Sequence, residues 1–262
     1  MLINVEHRGK TRRYSPKQYV HAANRLIVDL SRVPGIDSIV LFGSIVKQDT
    51  VEAWSDIDVI IFVDQSCHSH DLYVNLRTAN AASFNRYAIG VGIDVVIHQQ
   101  FTKTGFIPGR PRYFTFDVAA YGRTVFGERI LTPRRPTRHH MSRFAAERFQ
   151  MVSAELHSWR RTFSEPVQAA QTRVAANAAS TVKTALKLLQ YETGPRLGPP
   201  YTYLGALQEL RTVQPRHSAL SGLHLAVHSR LEWPVLLNDP KRLQDRLLKI
   251  EQCLLGYPIG RP

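Results

Sequence analysis

The chain has 262 residues, of which 44% are hydrophobic and 21% charged, a balance typical of globular proteins rather than disordered or fibrous ones. Its formal charge of +13 favours acidic partners such as nucleic acid or polyphosphates, although arginine spread over every surface would give the same number. Two distant cysteines exclude a disulfide framework, and no apolar run approaches the roughly 18 residues of a membrane span. The first residues lack the pattern of a secretory signal, so we expect a cytoplasmic protein.

The first 132 residues alternate between helix and strand patterns. Ser15 and Gln18 can form a capping box around Pro16, which suits a first helical turn, and apolar residues then recur at helical spacing as far as Leu30. Further along, short β-branched runs predict strands at 38–42, 57–63 and 92–97, and helices are predicted at 69–84 and 115–122. This order predicts an α/β (α+β) domain with a small mixed sheet.

The pattern changes after residues 132–137, where two prolines and two arginines make the best candidate for a linker. Strand patterns end there, and helical spacing predicts an all-helical bundle. The predicted helices cover residues 138–163, 167–193, 202–212, 218–231 and 240–255. We therefore predict two domains, at 1–132 and 138–262.

Three aspartates lie within otherwise apolar strands. Asp56 and Asp58 are two residues apart at the start of one strand, so both carboxylates project to the same face while Ile57 turns into the core. Asp94 has the same setting on another strand. If the strands are adjacent, the three carboxylates converge and can hold two magnesium ions roughly 4 Å apart for in-line phosphoryl transfer. The alternatives are that the first pair caps a turn and that Asp94 pairs with an arginine.

A strand that runs into Gly43-Ser44 supplies a second part of the pattern. Glycine lets the backbone approach a phosphate closely, and a serine hydroxyl can donate to a phosphate oxygen. A lone Gly-Ser carries little information, but eleven residues later the chain continues with Asp56-Ile57-Asp58. Together with Asp94, this spacing predicts a site that binds phosphate groups and metal ions.

The motifs LFGS, SDIDVIIFV and GIDVVI resemble those of the DNA polymerase beta-type nucleotidyltransferase superfamily over residues 38–97. The resemblance implies that Gly43 and Ser44 hold the phosphates of a nucleoside triphosphate. It also implies that Asp56, Asp58 and Asp94 are the catalytic residues that bind magnesium, with Asp94 helping to activate an acceptor hydroxyl. Many members carry Arg-Ala-Arg-Gly directly after Gly-Ser, whereas this chain keeps only the charge of Lys47, which argues against carrying over the substrate of any close subfamily.

The helical half resembles, more loosely, the helical domain of kanamycin nucleotidyltransferase and the HEPN group. Lys183 and Lys187 lie one helical turn apart in it and are predicted to reach the nucleotide, although a solvated face is the alternative. Arg110 and Arg112, in a loop after the third strand, are candidates for phosphate or acceptor contacts.

We expect the enzyme to transfer a nucleoside monophosphate, AMP being the first choice, from a triphosphate to a hydroxyl and to release pyrophosphate. Residues 138–262 hold 17 lysines and arginines against 9 acidic residues, a balance of +8. That charge suits RNA, perhaps tRNA, or a protein acceptor better than a polycationic aminoglycoside, which stays an alternative. A silent nucleotide- or RNA-binding protein is a second alternative, and a role in a toxin–antitoxin pair is compatible with the enzyme. The sequence leaves the oligomeric state open.

Overall fold

A computed structural model describes residues 2–4, 16–46, 55–67, 70–87, 89–132, 134–158, 174, 202–216, 218–232, 235–236 and 238–255. The chain divides into two compact units, Met1–Pro136 and Thr137–Pro262. Within the described residues, no helix is both long and apolar enough to cross a membrane. Each unit is described by itself below.

The first unit is built on a five-stranded mixed sheet. The strands lie in the order β1-β4-β3-β2-β5, with β3 and β4 parallel and the other neighbouring pairs antiparallel. Parallel neighbours need a crossover of a dozen or more residues, and the helix between β3 and β4 provides it. The elements of this unit are β1 (Leu2–Asn4), α1 (Pro16–Leu30), β2 (Ile36–Phe42), β3 (Ile57–Val63), α2 (His70–Tyr87), β4 (Val91–Ile97), α3 (His98–Thr104), α4 (Arg112–Tyr121) and β5 (Arg123–Gly127), with a short 3-10 turn at Gln65–Cys67.

Both faces of the sheet are covered, which explains why the strands are almost uniformly apolar. Alternate residues of β3, such as Ile61, pack on one face with Leu26 of α1 and Leu76 of α2. The intervening residues, such as Ile60, pack on the other face with Phe101 of α3 and Val118 of α4. The two helical layers therefore fix which face each strand residue presents, and any side chain with the parity of Ile60 lies on the α3–α4 side.

The predicted elements of this unit are confirmed, and most of their predicted ends lie within three residues of the observed ends. Three short elements were not predicted: β1, α3 and β5. Helix α3 follows β4 without a break and ends at Gly105, whose left-handed backbone (φ 69°) closes the last turn with a 2.6 Å hydrogen bond to Phe101 O. A seven-residue helix of this kind has too few turns to show a clear periodicity. The predicted cap Ser15 lies outside the described residues.

The second unit contains only helices among its described residues. These are α5 (Arg138–Ser158), α6 (Tyr203–Val213), α7 (Leu220–Leu231) and α8 (Pro240–Leu255). Leucines and alanines from all four helices form one core, in which Leu156, Leu210, Leu223 and Leu247 are fully buried. The Thr202 hydroxyl caps α6 by accepting a 3.0 Å hydrogen bond from Gly205 N. The predicted helix at 167–193 lies outside the described residues, apart from the helical Val174.

Candidate active site

The strand register brings the aspartates of two neighbouring strands to one face of the sheet. Asp58 of β3 is paired with Gly92 of β4, and Asp94 follows two residues further along the same strand, opposite Ile60. Residues with this parity point to the α3–α4 face. Ile57, between the two aspartates of the motif, is fully buried on the opposite face. The predicted division of Asp56-Ile57-Asp58 into a buried isoleucine and same-face aspartates is therefore what the sheet produces.

Two glycines make room for the carboxylates. A Cβ placed on Gly92 would lie 3.0 Å from Asp58 Oδ1 and 3.9 Å from Asp56 Oδ2, so both side chains reach the same short stretch of β4 backbone. A Cβ on Gly43 would overlap Asp58 Oδ2 and lie 3.1 Å from Asp58 Cγ. Gly43 also has a left-handed backbone, φ 75°, which strongly favours glycine. Asp58 is thus held between the turn after β2 and the start of β4.

Asp94 is engaged by an arginine. Arg110 donates from Nη2 to both carboxylate oxygens, at 2.9 and 2.8 Å, and from Nε to Oδ2 at 3.1 Å. The Asp94 side chain is 10% exposed and that of Arg110 28%, so the pair is largely withdrawn from water. The Arg110 guanidinium also lies 4.8 Å from the centre of the Phe114 ring of α4. The pairing of Asp94 with an arginine, one of the alternatives raised by the sequence, is the arrangement observed.

The convergence of Asp56, Asp58 and Asp94 on one metal centre stays a prediction. Among the described residues, no group of three or more histidine, cysteine, aspartate or glutamate side chains is already placed to hold a metal ion. Asp56 and Asp58 do approach one another over Gly92, and Asp56 is exposed. Magnesium is commonly held by one or two carboxylates together with water and substrate phosphates. The Asp56–Asp58 pair therefore fits this ion, whereas Asp94 is engaged by Arg110.

The other predicted site residues divide into two groups. Gly43 and Ser44 lie in the turn that follows β2, next to Asp58, as the motif implies. Lys47, Lys183 and Lys187 lie outside the described residues. Their predicted contacts with a nucleotide remain predictions.

Two residues have a role that the sequence did not reveal. Gly92 was recognised only as the first residue of a strand, although its missing side chain is what admits the carboxylates of Asp56 and Asp58. Arg110 was expected to contact phosphate or acceptor, whereas it binds Asp94. Arg110 lies sixteen positions after Asp94 in the chain. Helix α3 and the loop that follows it bring the chain back to β4, and this return places Arg110 beside Asp94.

Residues 24–116 match the family model described as nucleotidyltransferase domain, and the match spans Gly43, Ser44, the three aspartates and Arg110. The chain therefore contains a nucleotidyltransferase domain, consistent with the DNA polymerase beta-type superfamily, and is a transferase enzyme. No curated protein matches the chain.

Family and fold together confirm the predicted class, a mixed α/β nucleotidyltransferase domain followed by helices. A domain of this family implies a nucleoside triphosphate substrate and general nucleotidyl transfer. The donor base, the metal and the acceptor belong to the proposal that follows.

Proposed function

We propose that the protein transfers a nucleoside monophosphate, AMP first among the candidates, from a nucleoside triphosphate to a hydroxyl and releases pyrophosphate. The observation that carries the proposal is the position of Asp56 and Asp58. Both carboxylates lie within 4 Å of the position that a Cβ on Gly92 would take, next to the left-handed turn at Gly43. A phosphate can approach the backbone at Gly43, and the two carboxylates beside it can bind the cations that accompany a triphosphate.

Asp56 and Asp58 would hold magnesium, which supplies neutralisation of the charge on the transferred phosphoryl group. The turn at Gly43 and Ser44 brings backbone and a hydroxyl to the phosphates without a side chain in the way. Gly92 keeps the space above β4 open to Asp58. These residues together position the phosphorus atom that is attacked, and they contribute through geometry and charge rather than through a covalent intermediate.

Asp94 would act on the acceptor. Its carboxylate accepts the proton of the attacking hydroxyl, whose oxygen forms the new bond to the α-phosphorus as the bond to pyrophosphate breaks. In the structure both oxygens of Asp94 are occupied by Arg110. Asp94 Oδ1 accepts only one of these hydrogen bonds and keeps a lone pair for the hydroxyl, and Arg110, if it leaves Asp94, can bind a phosphate or the acceptor.

RNA or a protein is the acceptor that we propose, because the chain is strongly basic. The net charge of +13, with +8 in residues 138–262, suits a polyanion and opposes a polycationic aminoglycoside. In a toxin–antitoxin pair the same reaction would modify tRNA or a partner protein.

The test is transfer of label from each α-labelled nucleoside triphosphate with magnesium, scored by pyrophosphate release and by label on the acceptor. Bulk tRNA, denatured protein, an aminoglycoside and no acceptor are compared. We expect release with tRNA or protein, largest with ATP. The substitution Asp58→Asn should abolish release without unfolding the protein, because it removes one charge and little volume.

The matched control is Asp64→Asn, directly after the other end of the same strand. Six residues of strand place it roughly 20 Å from Asp58. Asp64 accepts hydrogen bonds from Ser66 and Gln99, so Asp64→Asn changes a hydrogen-bonded aspartate next to the same strand without changing the candidate active site. Full activity in Asp58→Asn would refute the assignment. Nucleotide binding without release under every condition would favour a silent binding protein, and label on the aminoglycoside alone would favour antibiotic modification.

A further inference from the structure

A cluster of basic side chains lies within the helical unit, where α6, α7 and α8 meet. His224 and His228 of α7 are one helical turn apart, with ring centres separated by 4.3 Å. Arg246 and Arg242 of α8 both donate to Glu232 Oε2, at 2.6 and 2.8 Å. Arg211, in the last turn of α6, is close enough to affect the protonation of His224.

Two nitrogen atoms of this cluster are buried without a hydrogen-bond partner among the described residues: His224 Nδ1 and Arg246 Nη1. Buried polar atoms are nearly always paired, because an unsatisfied one costs its full desolvation free energy. The Arg246 side chain is 13% exposed, and its Nη1 atom is out of contact with bulk water. The cluster therefore has hydrogen-bonding capacity that the described residues do not use.

The charges of the cluster favour a negative occupant. Arg242 and Arg246 share a single glutamate, and the charge of Arg211 also acts on His224, so a positive excess remains even with both histidines neutral. Burial lowers the pKa of His224, the charges of His228, Arg211 and Arg246 lower it further, and the charge of Glu232 offsets part of this effect. An anion placed here would relieve this repulsion.

A metal ion is the obvious alternative, since His224, His228 and Glu232 follow one another at helical spacing. Within the described residues, however, these side chains form no group arranged to hold one. Glu232 is already engaged by two arginines, whose charges would repel a cation.

We propose that this cluster is a binding site for a phosphate group. The exposed guanidinium of Arg211 donates to its oxygens, Arg246 Nη1 joins it after a side-chain movement that uncovers this buried nitrogen, and the imidazole of His224 completes the contact when protonated. Guanidinium groups suit phosphate because their planar donors match its oxygens. A free phosphate and a phosphodiester of an RNA strand share this chemistry. The site lies wholly within the helical unit and does not depend on the transfer reaction.

The experiment follows the histidine side chains of the full chain by NMR. The protein is labelled in histidine, and His224 and His228 are assigned with His224→Gln and His228→Gln. Inorganic phosphate is added against sodium chloride of equal ionic strength, and a short RNA oligonucleotide forms a second arm. We expect saturable shifts of both resonances with phosphate and none with chloride. Phosphate should also raise the pKa of His224.

Arg246→Gln should weaken phosphate binding about tenfold or more, since one charge-assisted hydrogen bond is lost. Lys241→Gln removes the same charge from the same helix at an exposed position about 140° around its axis, and should bind like the wild type. If Arg246→Gln does not fold, Arg211→Gln gives the same test from an exposed position.

Saturation that is much tighter with the oligonucleotide assigns the site to an RNA strand, and equal or weaker binding assigns it to a free phosphate. Absence of a saturable shift with either ligand would overturn the proposal. So would equal weakening by Lys241→Gln and Arg246→Gln, because binding would then reflect only net charge.

Discussion

Three glycine-to-alanine substitutions separate backbone strain from crowding of Asp58. Gly43→Ala introduces both, because Gly43 has φ 75° and the new Cβ would overlap Asp58 Oδ2. Gly109→Ala introduces only strain, since φ is 72° and nothing lies within 4 Å of the new Cβ. Gly92→Ala introduces only crowding, since its Cβ would lie 3.0 Å from Asp58 Oδ1.

Magnitudes follow from these geometries. A residue with a Cβ in the left-handed region costs about 1–2 kcal/mol, so Gly43→Ala and Gly109→Ala should each lower the melting temperature by several degrees. Gly92→Ala should leave it nearly unchanged, because alanine suits a strand at least as well as glycine. The overlap at Gly43 displaces the Asp58 carboxylate by roughly 1 Å, which costs about a hundredfold in turnover. At Gly92 a shift of a few tenths of an ångström should cost less.

Thermal melts and pyrophosphate release, measured on the three variants and the wild type, test the reasoning. We expect stability to follow strain and activity to follow crowding, so Gly109→Ala should be destabilised but active and Gly92→Ala stable but slowed. Wild-type activity in Gly43→Ala would show that the contact with Asp58 is not needed for catalysis. Equal loss of activity in Gly43→Ala and Gly109→Ala would attribute the effect to strain alone.

Arg110→Gln should lower the free energy of unfolding by about 1–2 kcal/mol in urea titrations, less than the roughly 3–5 kcal/mol of a fully buried pair because 28% of the Arg110 side chain is exposed. Burial raises the pKa of Glu232, but hydrogen bonding and charge from Arg246 outweigh it, so the net pKa is lowered. Glu232 therefore stabilises the fold at neutral pH, and this stabilisation is lost as the pH falls through the lowered pKa. In thermal melts, Glu232→Gln should lower the melting temperature more at pH 7 than at pH 3. Burial raises the pKa of Tyr113 well above its usual range, so the neutral phenol contributes to the stability of the fold, and this contribution is lost as the pH rises above about 10. The stability of Tyr113→Phe should therefore fall less at alkaline pH than that of the wild type, as followed by circular dichroism.

Each of these expectations has its own control. The double variant Arg110→Gln with Asp94→Asn should recover part of the loss, since the uncompensated carboxylate is gone, and strict additivity would contradict the pairing. A constant difference between Glu232→Gln and wild type at both pH values would show that the ion pairs contribute nothing. Unchanged alkaline unfolding in Tyr113→Phe would show that another group titrates there.

The sequence by itself determined the elements with a strong local pattern. The strands around Ile60 and Asp94 and the helix at 70–87 follow from apolar runs and helical spacing. The motif spacing from Gly43 to Asp58 indicated the nucleotidyltransferase family. In the fold, this spacing lets the turn after β2 lie beside the start of β3, so that Gly43 contacts Asp58. The short α3 and the edge strands escaped prediction, since their few residues form no repeating pattern and their positions depend on pairing with distant partners.

Only the tertiary structure decided how the site residues meet. Strand register set Asp58 opposite Gly92, and the return of the chain after α3 placed Arg110 on Asp94. Sequence could suggest that a buried aspartate needs a partner, and both a metal ion and an arginine would satisfy that need. The choice depends on which loop folds back over β4, a consequence of packing among α3, α4 and the sheet. Local patterns thus specify elements, whereas the partner of a charged group is set by contacts between residues far apart in the chain.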